Sequence, residues 1–122
     1  MTKSGKQLAI FGCILCGLGV LMGAFGGHSL EKHLDQVAKN AFEVGVRYQF
    51  YHGLALLALA SLQNSGAQLL MACRIMLLGV ILFSGSLYIY ALTGIREFAF
   101  VTPVGGVLLI LSWIFSLKKI IS

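Results

Sequence analysis

Residues 75–95 read IMLLGVILFSGSLYIYALTGI, twenty-one positions without a charged side chain, closed by Arg74 on one side and Arg96 on the other. At about 1.5 Å of rise per helical residue, such a run crosses the roughly 30 Å hydrocarbon core of a bilayer. Similar runs lie on both sides of it. Phe98 to Leu117 is twenty uncharged residues, and Gln7 to Gly27 is twenty-one. Tyr48 to Cys73 is also uncharged, though Gln63-Asn64-Ser65-Gly66 interrupts it after Leu62. Lipid offers no partner to an unpaired backbone group, so only helices and closed barrels cross it. The period-two alternation of a barrel strand is absent. The expected fold is an all-α membrane protein, one integral-membrane domain over residues 1–122. Its four transmembrane helices are expected at about 7–27, 46–64, 72–93 and 102–118.

Composition points the same way. Of 122 residues, 58% are hydrophobic and 11% charged, and the mean hydropathy is +0.91. A soluble domain this small leaves much of its surface in water and needs polar side chains to cover it. Thirteen charged residues cannot do so, which excludes a soluble enzyme, a disordered tail and a disulfide-stapled module. The formal charge of +5 comes from nine Lys and Arg against four Asp and Glu. Most of these cations flank apolar runs, where membrane orientation and anionic headgroups account for them. No nucleic-acid motif accompanies them, and no nucleic-acid partner is expected. The three cysteines are Cys13, Cys16 and Cys73. Cys13 and Cys16 form a CxxC on one helical face, but apolar surroundings disfavour the thiolate that redox or metal chemistry needs. They read as small apolar fillers. Lys3 and Lys6 followed by an apolar stretch resemble a signal peptide, yet eighteen apolar residues from Leu8 to Phe25 exceed its hydrophobic region. An uncleaved helix is expected.

The link between the first two spans differs in kind. Leu30, Leu34, Val37, Ala38, Ala41, Phe42 and Gly45 interleave with polar residues at helical period. The pattern predicts an amphipathic helix over about 29–45, lying in the headgroup plane with Leu34 and Phe42 in the acyl region. Ser29 is its expected N-cap, and Asp35–Lys39 and Glu43–Arg47 are i,i+4 ion pairs. With both termini cytoplasmic, the inside holds five basic residues (Lys3, Lys6, Arg74, Lys118, Lys119) and the outside four (Lys32, Lys39, Arg47, Arg96). The positive-inside rule favours that orientation, in a cell inner membrane, by a single charge.

Two groups of residues are candidates for a site. Gly19, Gly23 and Gly27 recur every fourth position on the first span, with Gly105 and Gly106 on the fourth as possible counterparts. Small residues at this spacing let helix backbones approach closely in lipid, within one bundle or between copies. The second group is Arg47-Tyr48-Gln49-Phe50-Tyr51-His52 at the head of the second span. Ionisable groups at depth are functional candidates, while an interfacial Glu43–Arg47 pair anchoring the helix is the structural alternative. Topology puts His28, Glu43, Arg47 and Arg96 on one side of the membrane, so they are expected to converge into a polar cluster with Tyr48, Tyr51 and His52. Two histidines and a carboxylate could serve a proton relay, but no metal or cofactor is required by their spacing. Thr102-Pro103 reads as an N-cap with proline in the first turn of the last helix. Catalytic motifs of soluble enzymes are absent, and no enzymatic activity is expected.

With these segments in hand, the sequence resembles the YgdD-like small membrane proteins, a bacterial family of unassigned function with a eukaryotic relative. The resemblance is carried by Gly23-Ala24-Phe25-Gly26-Gly27-His28-Ser29-Leu30, by Gly45 to Ala55 with Arg47-Tyr48-Gln49-Phe50-Tyr51-His52 inside it, and by Thr102-Pro103-Val104-Gly105-Gly106. It departs from the family at Gly27, where alanine is expected, and at Ala99, where glycine is. The resemblance implies four membrane helices and brings no activity or catalytic residue. Function is expected to be the binding of membrane lipid or a protein partner by a non-catalytic, self-associating protein. The alternative is a small proton- or anion-handling transporter or channel.

Overall fold

The structure is a computed structural model that describes residues 1–28 and 32–122, with the backbone alone for Gly27. Four α-helices carry the chain: α1 (Lys3–His28), α2 (Gln36–Asn64), α3 (Leu70–Thr93) and α4 (Thr102–Ile121). α1, α3 and the segment Arg96–Ile121 are long and apolar enough to cross a membrane. α2 does not meet that measure, because Gln36, Lys39, Asn40, Glu43 and Arg47 occupy its opening turns and Gln49, His52, Gln63 and Asn64 follow.

Each turn has a local cause. Asp35 caps α2, its carboxylate accepting from the Ala38 N–H at 2.8 Å. Between α2 and α3, Gly66 takes φ +106°, and Gln63 Oε1 accepts from the Leu69 N–H at 2.6 Å. Gly94, left-handed at φ 72°, ends α3. A single 3-10 turn, Arg96–Phe100, then leads into α4. Thr102 is the first residue of α4, with Val101 at the cap position. The Thr102 hydroxyl, expected to cap the helix, instead lies 2.6 Å from that of Ser86 on α3.

Consecutive helices pack side by side, α1 on α2, α2 on α3 and α3 on α4, while among the described residues the α1 and α4 backbones do not meet. α1 and α2 run antiparallel along their length. At one end the Thr2 N–H donates to Asn64 Oδ1 at 2.9 Å, and at the other Gly26 faces the ring of Phe42. An apolar cluster is built on Leu8, Leu56, Leu59, Leu69, Cys73, Met76, Val80 and Leu109. Beside it the interior buries Gln49, His52, Ser84, Ser86, Ser112 and Ser116. Large apolar side chains cover the outside on every helix, among them Leu21, Leu54, Ile81 and Ile110.

The amphipathic stretch differs from expectation. Residues 36–45 are the opening turns of α2, continuous with the remainder of that helix, and do not form a helix of their own. With Asp35 capping below and no breaker before Asn64, helix propagation has no reason to stop at Gly45. Phe42 is 3% exposed and packs on Tyr88, ring centroids 5.0 Å apart. It faces protein and not acyl chains. Ser29, the expected cap, lies outside the described residues. Asp35 serves the backbone as a cap and forms no ion pair with Lys39 among the described residues.

Candidate functional site

α2 buries one stripe, which includes Phe42, Gly45, Gln49, His52, Gly53 and Leu56, at the three- and four-residue spacing of a helix face. Three members of that stripe join α2 to the other helices. Gly45 has no side chain, so Tyr88 of α3 lies against its backbone; a Cβ there would be 2.8 Å from the Tyr88 ring. The Gly45 carbonyl accepts from the Ser84 hydroxyl at 2.7 Å. Gln49 donates through Nε2 to the Leu15 carbonyl of α1 at 2.8 Å and accepts through Oε1 from the Tyr88 hydroxyl at 2.6 Å. One amide therefore binds three helices. An unpartnered amide in the same place would cost roughly 1–3 kcal/mol.

His52 completes the set. Its Nε2 lies 3.1 Å from the indole Nε1 of Trp113 on α4, and an indole nitrogen can only donate. Nε2 is therefore the acceptor, and the ring proton sits on Nδ1, donating to the Tyr48 carbonyl at 2.8 Å. Both ring nitrogens are engaged and the ring is neutral. α2 and α4 make no backbone contact among the described residues, so this side-chain bridge joins them directly. Every buried polar side-chain atom among the described residues has a partner.

A separate cleft of about 320 Å³ opens between the end of α1 and the first turns of α2. Its floor is apolar, from Gly23, Gly26, Phe42 and Val46, and its rim carries Lys39, Glu43 and Arg47. The three rim residues follow one another at four-residue intervals on one helix stripe, alternating in sign. Arg47 Nη2 lies 3.7 Å from Glu43 Oε2, with the two side chains 58% and 65% exposed. An exposed i,i+4 pair of this kind contributes about 0.3–0.5 kcal/mol. It is therefore readily opened by a competing ligand.

The residues expected to converge are brought together in pairs and not in one cluster: Glu43 meets Arg47, and Tyr48 stacks on His52 with ring centroids 6.0 Å apart. Glu43 and Arg47 share the cleft, whereas His52 lies on the buried stripe. Tyr48 and Tyr51 are exposed, with rings 5.7 Å apart, and Tyr48 also leans on Phe83 at 4.5 Å. His28 and Arg96 are exposed, line no part of the cleft, and make no hydrogen bond or ion pair among the described residues. Arg96 is kept away because its 3-10 turn packs on α3 and α4 alone. Gly19 and Gly105 face inward within the chain, whereas Gly23 is exposed. A Cβ on Gly19 would lie 2.9 Å from the Phe50 ring, one on Gly26 2.5 Å from the Phe42 ring, and one on Gly23 3.6 Å from Val46. On α4, a Cβ on Gly105 would sit 2.5 Å from the Phe83 backbone nitrogen, and one on Gly106 would clear Phe83 by 3.8 Å. The surroundings of Gly27 lie outside the described residues. Ser84, Tyr88 and Trp113 were missed as site residues, and Gln49 was named only as part of the Arg47–His52 stretch, without a role. A glutamine on a stripe otherwise made of small and apolar residues was the available signal for an interhelical bond.

The family model described as a protein of unknown function, DUF423, matches residues 22–106. A UPF0382 membrane protein of Bacillus subtilis is 41% identical over 112 residues, covering 89% of this chain and 91% of its own length. A UPF0382 membrane protein of Staphylococcus haemolyticus is 40% identical over 110 residues, covering 89% and 90%. The UPF0382 inner membrane protein YgdD of Escherichia coli K12 is 39% identical over 112 residues, covering 90% and 86%. No solved structure matches the chain. The matched region holds both the buried polar stripe and the charged cleft, and with the apolar helices it leads to one assignment: the chain belongs to the DUF423 family of membrane proteins of unknown function.

Proposed function

We propose that the protein is a non-catalytic, four-span membrane protein that holds a membrane lipid in the cleft between α1 and α2. The crossing of α2 is supported by its antiparallel course beside the whole of α1, from Asn64 at Thr2 to Phe42 at Gly26. Whatever thickness α1 spans, α2 lies alongside it. Two buried polar side chains on that course, Gln49 and His52, are hydrogen-bonded inside the bundle, which makes their residence in hydrocarbon tolerable.

One observation carries the lipid reading: Lys39 and Arg47 stand over an apolar floor at the level where the apolar stretch of α1 ends, at Gly26. A headgroup phosphate meets the cations there while acyl chains meet Val46 and the glycines. His52 supports binding over proton transport, since the Tyr48 carbonyl and the Trp113 indole already occupy both its nitrogens. Self-association, in this reading, does not use Gly19, which the Phe50 ring of α2 covers, whereas Gly23 lies open in the cleft.

The reading is tested by native mass spectrometry of protein extracted in mild detergent. The expected result is retained phospholipid on the wild type and at least about a tenfold loss of it in the Lys39→Ala/Arg47→Ala double variant, one tenfold step being the scale of one charge-assisted contact. Equal retention by both proteins would overturn it.

A further inference from the structure

We propose that the lipid recognised by this cleft carries a primary ammonium: its phosphate lies on Arg47 and its ammonium on Glu43. The inference deepens the lipid-binding reading and rests on it. A simple anion site would gather cations alone. Here a carboxylate stands between two cations on one stripe, in the order Arg47, Glu43, Lys39 from the bilayer outward. Successive members of that stripe are about 6 Å apart along the helix axis.

An aminophospholipid presents its charges in the matching order. The phosphodiester sits nearest the acyl chains, and the ammonium lies further toward water on a short tether. Arg47 offers the phosphate a planar fork of donors suited to its oxygens. Glu43, one turn further out, accepts from the three N–H groups of a primary ammonium. A choline headgroup has no such donors, and a glycerol headgroup has no positive charge to place there. Lys39, another turn outward, keeps the rim net positive. The weak, exposed Glu43–Arg47 contact at 3.7 Å leaves most of the guanidinium donors and the second carboxylate oxygen available to the headgroup.

The apolar floor distinguishes a lipid from its soluble headgroup. Gly23, Gly26 and Val46 give an acyl chain a surface and give glycerophosphoethanolamine nothing.

The experiment measures binding of spin-labelled lipids to the full chain in nanodiscs, comparing headgroups of equal net charge. Phosphatidylethanolamine is set against phosphatidylcholine, and phosphatidylserine against phosphatidylglycerol. The primary ammonium should be preferred in both pairs by about tenfold, the scale of one charge-assisted hydrogen bond. Glu43→Gln, an exposed change that leaves the helix intact, should erase both preferences while phosphatidylglycerol binding persists. Unchanged Trp113 emission would show that the variant is folded. Soluble glycerophosphoethanolamine at equal concentration should displace neither lipid. Equal binding within each pair, a preference for phosphatidylglycerol, or a preference that survives Glu43→Gln would overturn the inference and leave lipid binding standing. Displacement by the soluble headgroup would overturn the lipid as the occupant. No binding of any headgroup would overturn the underlying reading itself.

Discussion

At His52 a ring that could have carried a proton serves as a bridge between helices. Trp113 is the chain's one tryptophan, and its indole N–H ends on the histidine at 3.1 Å. Emission from the protein therefore reports on a single hydrogen bond. Replacing His52 with Leu removes the acceptor and makes the indole's surroundings less polar, so the emission maximum should move to shorter wavelength. An unshifted spectrum would mean that the bond is not made. His52 was legible in the sequence as a buried ionisable group, but its partner was not. A tryptophan near the end of a membrane helix reads as an interfacial anchor. The course of α4 along α3 turns the indole N–H of Trp113 toward His52 while the residue stays 46% exposed, and helical period within either segment does not encode that course.

Among the elements, α3 and α4 make the closest approach of backbones. Gly79 faces the Leu109 backbone, and Gly105 faces Phe83 and the Gly79 carbonyl, with a Cβ position only 2.9 Å from that oxygen. Backbone cannot rotate aside as a side chain can. Gly105→Ala should destabilise the protein by about 1–3 kcal/mol, the usual range for overpacking, while Gly106→Ala should be nearly neutral. The difference is measurable as a shift in the SDS fraction that unfolds each variant. Equal midpoints would refute the close approach. α1, α3 and α4 were readable from runs of uncharged residues, because length and hydropathy decide such helices. The start of α2 was not. Its first turns look like a surface helix because Lys39, Glu43 and Arg47 face the cleft, yet Phe42 and Gly45 on the other side already belong to the interior stripe. Amphipathic period is the same whether the apolar side meets lipid or another helix.

For the whole molecule, the four crossings proposed above would place Thr2, Ser65 and Ser122 on one side of the membrane and His33 and Glu97 on the other. Single cysteines at these positions, in a background without Cys13, Cys16 and Cys73, should react with an impermeant maleimide in those two groups. Basic residues number five against four in favour of the first group being cytoplasmic. Ser65 grouping with His33 would mean that α2 does not cross. The side of the membrane was legible only as this one-charge margin. The cleft was legible in part: Glu43 and Arg47 were expected to pair, whereas the inclusion of Lys39 and the exclusion of Arg96 come from tertiary packing.

The tightest backbone approaches occur inside consecutive helix pairs, Gly12 against Gly53 in the first and Gly105 against Phe83 in the second. Between the pairs, Ser84, Tyr88 and Trp113 supply side-chain hydrogen bonds. The polypeptide is thus two close-packed hairpins that share one apolar core, an arrangement suited to leaving the translocon in two instalments. A gene severed between Ser65 and Gly66 should still yield a complex: fragments 1–65 and 66–122, produced together, should copurify with the Trp113 emission of the intact protein. Fragments that stay apart would show that the covalent joint, and not the fit of the halves, completes assembly.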